Sequence, residues 1–222
     1  MMHPPLSGVR TLAFDLDGTL IDSLPGIARS LHAAFTAVGK TVPAGDLSRI
    51  VGPPIRRIAL ILDPSLEEGQ AEEIARVFRS DYDSQGWRST VLYSGVAEGL
   101  RRMQESGLRL FIVTNKPSLV TGQILEHFDL SAYFDAVFTR NARTPQYASK
   151  AEMLADLLNQ FSVSASEAVM IGDTQEDLEA AVVNRLRFVH AAYGYGTASG
   201  ATAVLNAFDE IQNLIGLGDA RV

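Results

Sequence analysis

Two aspartates separated by one residue, Asp15-Leu16-Asp17, follow a short apolar run ending at Phe14 and precede Gly18-Thr19. A strand that ends there sets two carboxylates close together in one loop. Like charges in a shared site are unfavourable unless a proton or a cation relieves them. Mg2+ suits that role, because it takes oxygen ligands, keeps several waters and binds through one or two carboxylates plus a substrate phosphate. Gly18 lets the turn tighten without a Cβ clash. An Asx-type turn closing a strand would use the same residues. A calcium loop fits poorly: the glycine falls at the fourth position rather than the sixth, and no glutamate closes a loop of the required length.

Three further segments carry matching chemistry. Thr114-Asn115-Lys116 offers a hydroxyl and an amide, both able to donate to a phosphoryl oxygen; Thr114 and Asn115 could equally cap a helix starting near Pro117. Lys150 opens a helix, where the positive dipole end disfavours a cation. Such breaks of a local rule tend to mark sites, although an exposed surface lysine is the plain alternative. Gly172-Asp173-Thr174-Gln175-Glu176-Asp177 places Asp173 at a strand end, with Asp177 one helical turn on to support it from behind. A capped helix with acids in its first turn reads the same way. Together the four segments supply a nucleophile, donors, a cation and metal ligands.

The elements that would hold them are legible from periodicity. Val9–Phe14, Leu108–Val113, Ala136–Thr139, Ala168–Ile171 and Arg187–Ala191 read as short buried strands. Between them, Val96–Glu105, Pro117–Phe128, Lys150–Phe161 and Glu176–Val183 read as helices, and a closing helix is expected over Ala203–Ile215. The stretch after the first strand is all-helical. Leu24, Ile27, Leu31, Phe35 and Val38 form an apolar stripe that stops at Gly39, followed by helices over Ile55–Leu62 and from Leu66 to about Tyr82. Alternating strands and helices imply an α/β fold with a doubly wound, Rossmann-like parallel sheet. The expected domains are a core of 1–22 and 88–222 and an inserted helical domain of 23–87. Ligands of such sheets bind beyond the carboxyl ends of the strands, where all four segments lie.

The chain has 222 residues, 46% hydrophobic and 20% charged, with net charge −7. The acids are spread out and no basic footprint stands out, which argues against a nucleic-acid surface. With no cysteine there is neither a disulfide framework nor a thiolate metal site. No run approaches the length of a membrane span, and the first residues lack the pattern of a signal peptide. The expectation is a cytoplasmic protein; the four segments add a small phosphorylated metabolite as its partner, and a monomer or homodimer is assumed.

The chain resembles the haloacid dehalogenase superfamily of phosphatases, and most closely its phosphoglycolate phosphatase-like branch. The resemblance rests on Phe14 to Ser23 (Phe-Asp-Leu-Asp-Gly-Thr-Leu-Ile-Asp-Ser), Ile112-Val113-Thr114-Asn115-Lys116, Lys150, and Ile171 to Asp177. Val51-Gly52-Pro53-Pro54-Ile55 and Tyr193-Gly194-Tyr195-Gly196 also look like that branch. It implies that Asp15 attacks phosphorus and becomes an aspartyl-phosphate, while Asp17 protonates the leaving oxygen and then activates water. It further implies Mg2+ held by the Asp15 carboxylate, the Asp17 backbone carbonyl and Asp173, with Asp177 completing the metal set. Thr114 and Asn115 would bind phosphoryl oxygens, Lys150 would balance charge, and the helical insert would be a cap.

Two positions depart from the family pattern: Ala151 rather than proline follows Lys150, and Ser94-Gly95 stands where Pro-Gly is common. With the unfamiliar loop from Asn141 to Ser149, they leave the substrate open. Gly194-x-Gly196 with Gly200 is no dinucleotide fingerprint, since the third glycine comes one place late; a loop packing against the active site is expected instead. No Walker loop occurs and the four histidines show no metal spacing. A phosphosugar mutase and a non-catalytic phospho-ligand sensor are the competing readings.

Overall fold

Thr11 to Phe14, buried on both faces, form the short strand β1 around which the sheet is built. The structure is a computed structural model describing residues 6–45, 47–50 and 54–217. Val51 to Pro53, part of one family-like segment, lie outside the described residues. The chain divides into two units: Met1–Ile21 with Leu92–Val222, and Asp22–Val91.

In the first unit, β1 pairs in parallel with β4 (Arg109–Thr114) on one side and β6 (Ala168–Gly172) on the other. Adding β5 (Ala136–Thr139), β7 (Arg187–Ala191) and β8 (Ala203–Leu205) gives a six-stranded sheet ordered β5-β4-β1-β6-β7-β8. Two short strands at the points where the chain passes between the units, β2 (Ile21–Asp22) and β3 (Val91–Leu92), form a second sheet. From β1 the chain winds outward through β4 and β5, then returns to the opposite side at β6, so the winding reverses at β1. Reversals of this kind open a crevice beyond the strand ends.

Strand alternation sorts the core into two layers. Ala13, Phe111, Val113, Met170 and Phe188 lie in one cluster with Met153 and Leu157 of α6 (Lys150–Gln160). Phe14 points the other way and meets Phe208, with ring centroids 6.1 Å apart. Phe208 in turn lies against α4 (Val96–Glu105), where a side chain at Gly99 would collide with its ring. The remaining helices of this unit are α5 (Ser118–His127), α7 (Gln175–Val183) and α8 (Ile211–Leu214). Buried on both faces, these strands read as continuous apolar runs, as parallel sheets require.

The closing helix expected over Ala203–Ile215 forms only in its second half, from Phe208 to Leu214. Ala203–Leu205 is instead the edge strand β8, in register with Val189–Ala191, followed by a 3-10 turn at Phe208–Glu210 and the single turn of α8. The apolar spacing of this segment fits either period. The open edge of β7 decides, because its backbone groups need partners.

The second unit is helical. α1 (Leu24–Ala37) packs on α3 (Glu68–Ser84), with α2 (Ile55–Leu62) also against α3. Leu31, Phe35, Ile74 and Phe78 are its buried centre. Gly26 and Gly86 lie so close that a Cβ on Gly26 would strike the Gly86 carbonyl. Among the described residues no helix is long and apolar enough to cross a membrane.

Candidate active site

The carboxyl ends of the three central strands bring Asp15, Thr114 and Asp173 together: Asp15 directly follows β1, Thr114 ends β4 and Asp173 directly follows β6. The Asp15 amide donates to the Ile171 carbonyl at 2.8 Å, which continues the β1–β6 ladder by one step and fixes the aspartate at the sheet's edge. Lys150 comes from the start of α6, whose N-cap Ser149 accepts from the Glu152 amide. Its ammonium lies 2.9 Å from Asp15 Oδ1 and 2.6 Å from Asp177 Oδ1. All three side chains are buried, so the surface-lysine alternative fails and the pairing is obligatory.

Asp15, Asp173 and Asp177 offer oxygens within 4.8 Å of one another. Burial pushes the Asp15 carboxyl well above its ordinary range, against the pull of Lys150, with Asp177 and Asp173 adding to the rise. Burial and the Asp177 charge push Asp173 up to about 6, although the Tyr195 and Gly196 amides hold it down. For Lys150, burial works against the charge, but Asp15 and Asp177 overcome it and hold the ammonium above its usual value. Three buried carboxyl groups share one ammonium, so ionising all three would leave two uncompensated negative charges.

A divalent cation would cancel them. A second observation points the same way: Asp173 Oδ1 is buried and has no hydrogen-bond partner. Its sister oxygen Oδ2 accepts from the Tyr195 and Gly196 amides at 2.9 and 3.1 Å. The carboxylate is therefore oriented by one oxygen and presents the other bare, as a metal ligand held by its surroundings does. The residues fit Mg2+, which favours carboxylate oxygens.

Asp177 stands differently. Its Oδ1 accepts from Lys150, while Oδ2 accepts from the Thr174 amide at 3.0 Å and hydroxyl at 2.6 Å. Thr174 and Asp177 form a reciprocal capping pair at the start of α7. One carboxylate thus both caps the helix and anchors the lysine.

Asp17 turns its carboxylate toward Lys116, whose ammonium lies 2.8 and 3.1 Å from the two oxygens. Thr114 Oγ1 accepts from the Lys116 amide at 3.2 Å, leaving its own proton to donate elsewhere. The Asn115 amide group donates to Glu176 at 2.9 Å and its oxygen accepts from Arg140 at 3.2 Å.

Several of these partners carried no signal in the sequence. Lys116 has no role of its own in the sequence of its segment, and Arg140 lies in none of the four segments. The Tyr193–Gly196 loop was expected to pack against the site. Its backbone amides grip Asp173, and the Tyr193 hydroxyl donates to the Thr19 carbonyl at 2.7 Å. Gly18 adopts φ +78, and a Cβ there would run into the Asp173 carboxylate.

Comparison with known proteins agrees with this architecture. The family model described as haloacid dehalogenase-like hydrolase matches residues 12–191. The tyrosine-protein kinase PtkA of Mycobacterium tuberculosis is 32% identical over 221 residues, covering 96% of this chain and 75% of that protein. The phosphoglycolate phosphatase of Photobacterium profundum is 30% identical over 223 residues, covering 95% and 97%. The solved structure of M. tuberculosis PtkA superposes with a TM-score of 0.81 at 31% identity, covering 95% of this chain and 99% of that one. With this fold and this family match over most of its length, the chain belongs to the haloacid dehalogenase-like hydrolases.

Proposed function

We propose that the chain is a Mg2+-dependent phosphohydrolase of small phosphomonoesters, phosphoglycolate-like in class, working through a phosphoryl group carried on Asp15. The observation that carries the reading is the setting of Asp15: a buried carboxylate 2.9 Å from an ammonium and grouped with Asp173. A buried carboxylate held beside fixed positive charge is placed for attack, and phosphoryl transfer depends chiefly on positioning and charge neutralisation.

In the first step, which starts with a proton on Asp17, an Asp15 oxygen bonds to phosphorus as the ester P–O bond breaks, and Asp17 gives that proton to the departing alkoxide. In the second, Asp17 takes a proton from water as the water oxygen bonds to phosphorus. The Asp15–phosphorus bond then breaks, returning the carboxylate and releasing phosphate. Mg2+, when bound, supplies positive charge beside the phosphoryl oxygens; Asp15 and Asp173 would hold it through carboxylates and Asp17 through its backbone carbonyl. Asp177 lies within reach but supports the site through Lys150. Thr114 and Asn115 donate to phosphoryl oxygens, and Lys150 offsets the charge on nucleophile and phosphate.

The test is steady phosphate release from p-nitrophenyl phosphate and 2-phosphoglycolate with Mg2+. Asp15→Asn should lose all measurable turnover, and EDTA should do the same to the unaltered protein. A wild-type rate in Asp15→Asn would sink the mechanism. A relative named as a tyrosine kinase makes a second outcome worth reading: transfer from ATP to protein tyrosine without ester hydrolysis would replace this proposal.

A further inference from the structure

We propose that Arg140 and Glu176 are positioning residues that fix which way round the Asn115 amide faces, so that its N–H rather than its oxygen is offered to the phosphoryl group. The inference rests on the phosphohydrolase reading, in which Asn115 donates to substrate.

An asparagine amide has an acceptor end and a donor end of nearly the same shape, and it turns over unless its neighbours choose. Here both neighbours are one-sided. A guanidinium has donors only and a carboxylate acceptors only. Arg140 Nη1 donates to Asn115 Oδ1 at 3.2 Å, and Asn115 Nδ2 donates to Glu176 Oε2 at 2.9 Å. The reversed amide would set N–H against guanidinium and oxygen against carboxylate, two repulsive contacts in place of two charge-assisted bonds. Glu176 takes one of the two amide hydrogens, and the other remains for a ligand oxygen.

The two clamps come from separate elements. Arg140 follows β5; its backbone N–H donates to the Thr114 carbonyl at 3.1 Å and its Nη2 to the Ala148 carbonyl at 2.9 Å. Glu176 lies in the first turn of α7, one residue before Asp177. Asn115 therefore sits where the ends of β4 and β5 and the start of α7 meet.

The experiment is calorimetric titration of inorganic phosphate with Mg2+ present, which reads binding whether or not the protein turns over. Exchanging the two charges, Arg140→Glu with Glu176→Arg, keeps the net charge and favours the reversed amide. Phosphate affinity should fall about tenfold, the scale of a hydrogen bond to a charged group. In an Asn115→Ser background the exchange should cost less than about twofold, because a hydroxyl donates or accepts from either side. An equal loss in both backgrounds would mark a general electrostatic effect and overturn the inference. So would unchanged affinity with Asn115 present, or no phosphate binding by the unaltered protein. If the exchanged protein does not fold, Arg140→Lys, still donor-only, is compared with Arg140→Glu: the first should keep affinity within about threefold and the second lose it. Equal affinities in that pair would also overturn the inference. Phosphate binding without release from any ester would sink the hydrolase reading and leave the orientation test standing.

Discussion

Lys116 presents its ammonium to both carboxylate oxygens of Asp17, at 2.8 and 3.1 Å, with its own side chain only 6% exposed. An ammonium so buried requires acceptors, and those it has belong to the group assigned to move the proton. The pair fixes where that carboxylate stands before substrate arrives.

Lys116→Met keeps most of the stem and deletes the charge. Asp17, 22% exposed, can then be taken up by water and wander. We expect kcat to fall about ten- to a hundredfold, less than or at the low end of the roughly hundred- to ten-thousandfold attributed to a positioned acid–base group, because Asp17 itself remains, while KM changes less. The stability loss should stay below the roughly 3–5 kcal/mol of a broken, fully buried pair. Steady-state kinetics and a denaturant melt check both, and an unchanged kcat would remove Lys116 from the scheme.

Gly194 lies against the loop after β1, where a Cβ would overlap both the Gly18 carbonyl and the Asp173 side chain. Gly194→Ala must therefore displace the loop whose next two amides hold Asp173 Oδ2. The expected result is Mg2+ binding weakened about tenfold or more, the usual cost of disturbing the groups behind a metal ligand. Titrating Mg2+ calorimetrically and against the rate measures it. Equal Mg2+ affinity in variant and parent would show that the loop does not orient the carboxylate.

Stability without metal should depend on pH in a definite direction. Asp173 titrates at about 6 in the folded chain, against about 4 when unfolded. Between those values the native state binds more protons, so stability falls as pH rises and levels off above the upper value. Asp15 shifts in the same direction. The fall attributable to Asp173 is of order 1–3 kcal/mol. Asp173→Asn lacks this titration, so in EDTA its thermal midpoint should gain on the parent between pH 4 and 7. Saturating Mg2+ should cancel the fall in the parent, because the cation binds the ionised carboxylates. Parallel midpoint curves for the two proteins in EDTA would refute the assignment.

The α/β class and most elements were legible because each strand is a short apolar run and each helix carries its own stripe. β5 and β7 have the expected bounds, and α4 does too. The segment Ala203–Leu205 failed because three apolar residues satisfy either period, and only the neighbouring edge of β7 selects a strand.

What the sequence by itself determined is the set of reactive groups and their order: carboxylates, hydroxyl, amide and lysine at the ends of runs that can only be buried. Local pattern suffices there, since strand ends and helix starts are set by neighbours a few residues away. What the tertiary structure alone decided is which charge faces which. Lys150 meets Asp15 and Asp177, Lys116 meets Asp17, and Arg140 and Glu176 hold Asn115 from two sides. Those partners lie far apart along the chain, and only parallel strands stacked in the order β5-β4-β1-β6 bring them within hydrogen-bond reach.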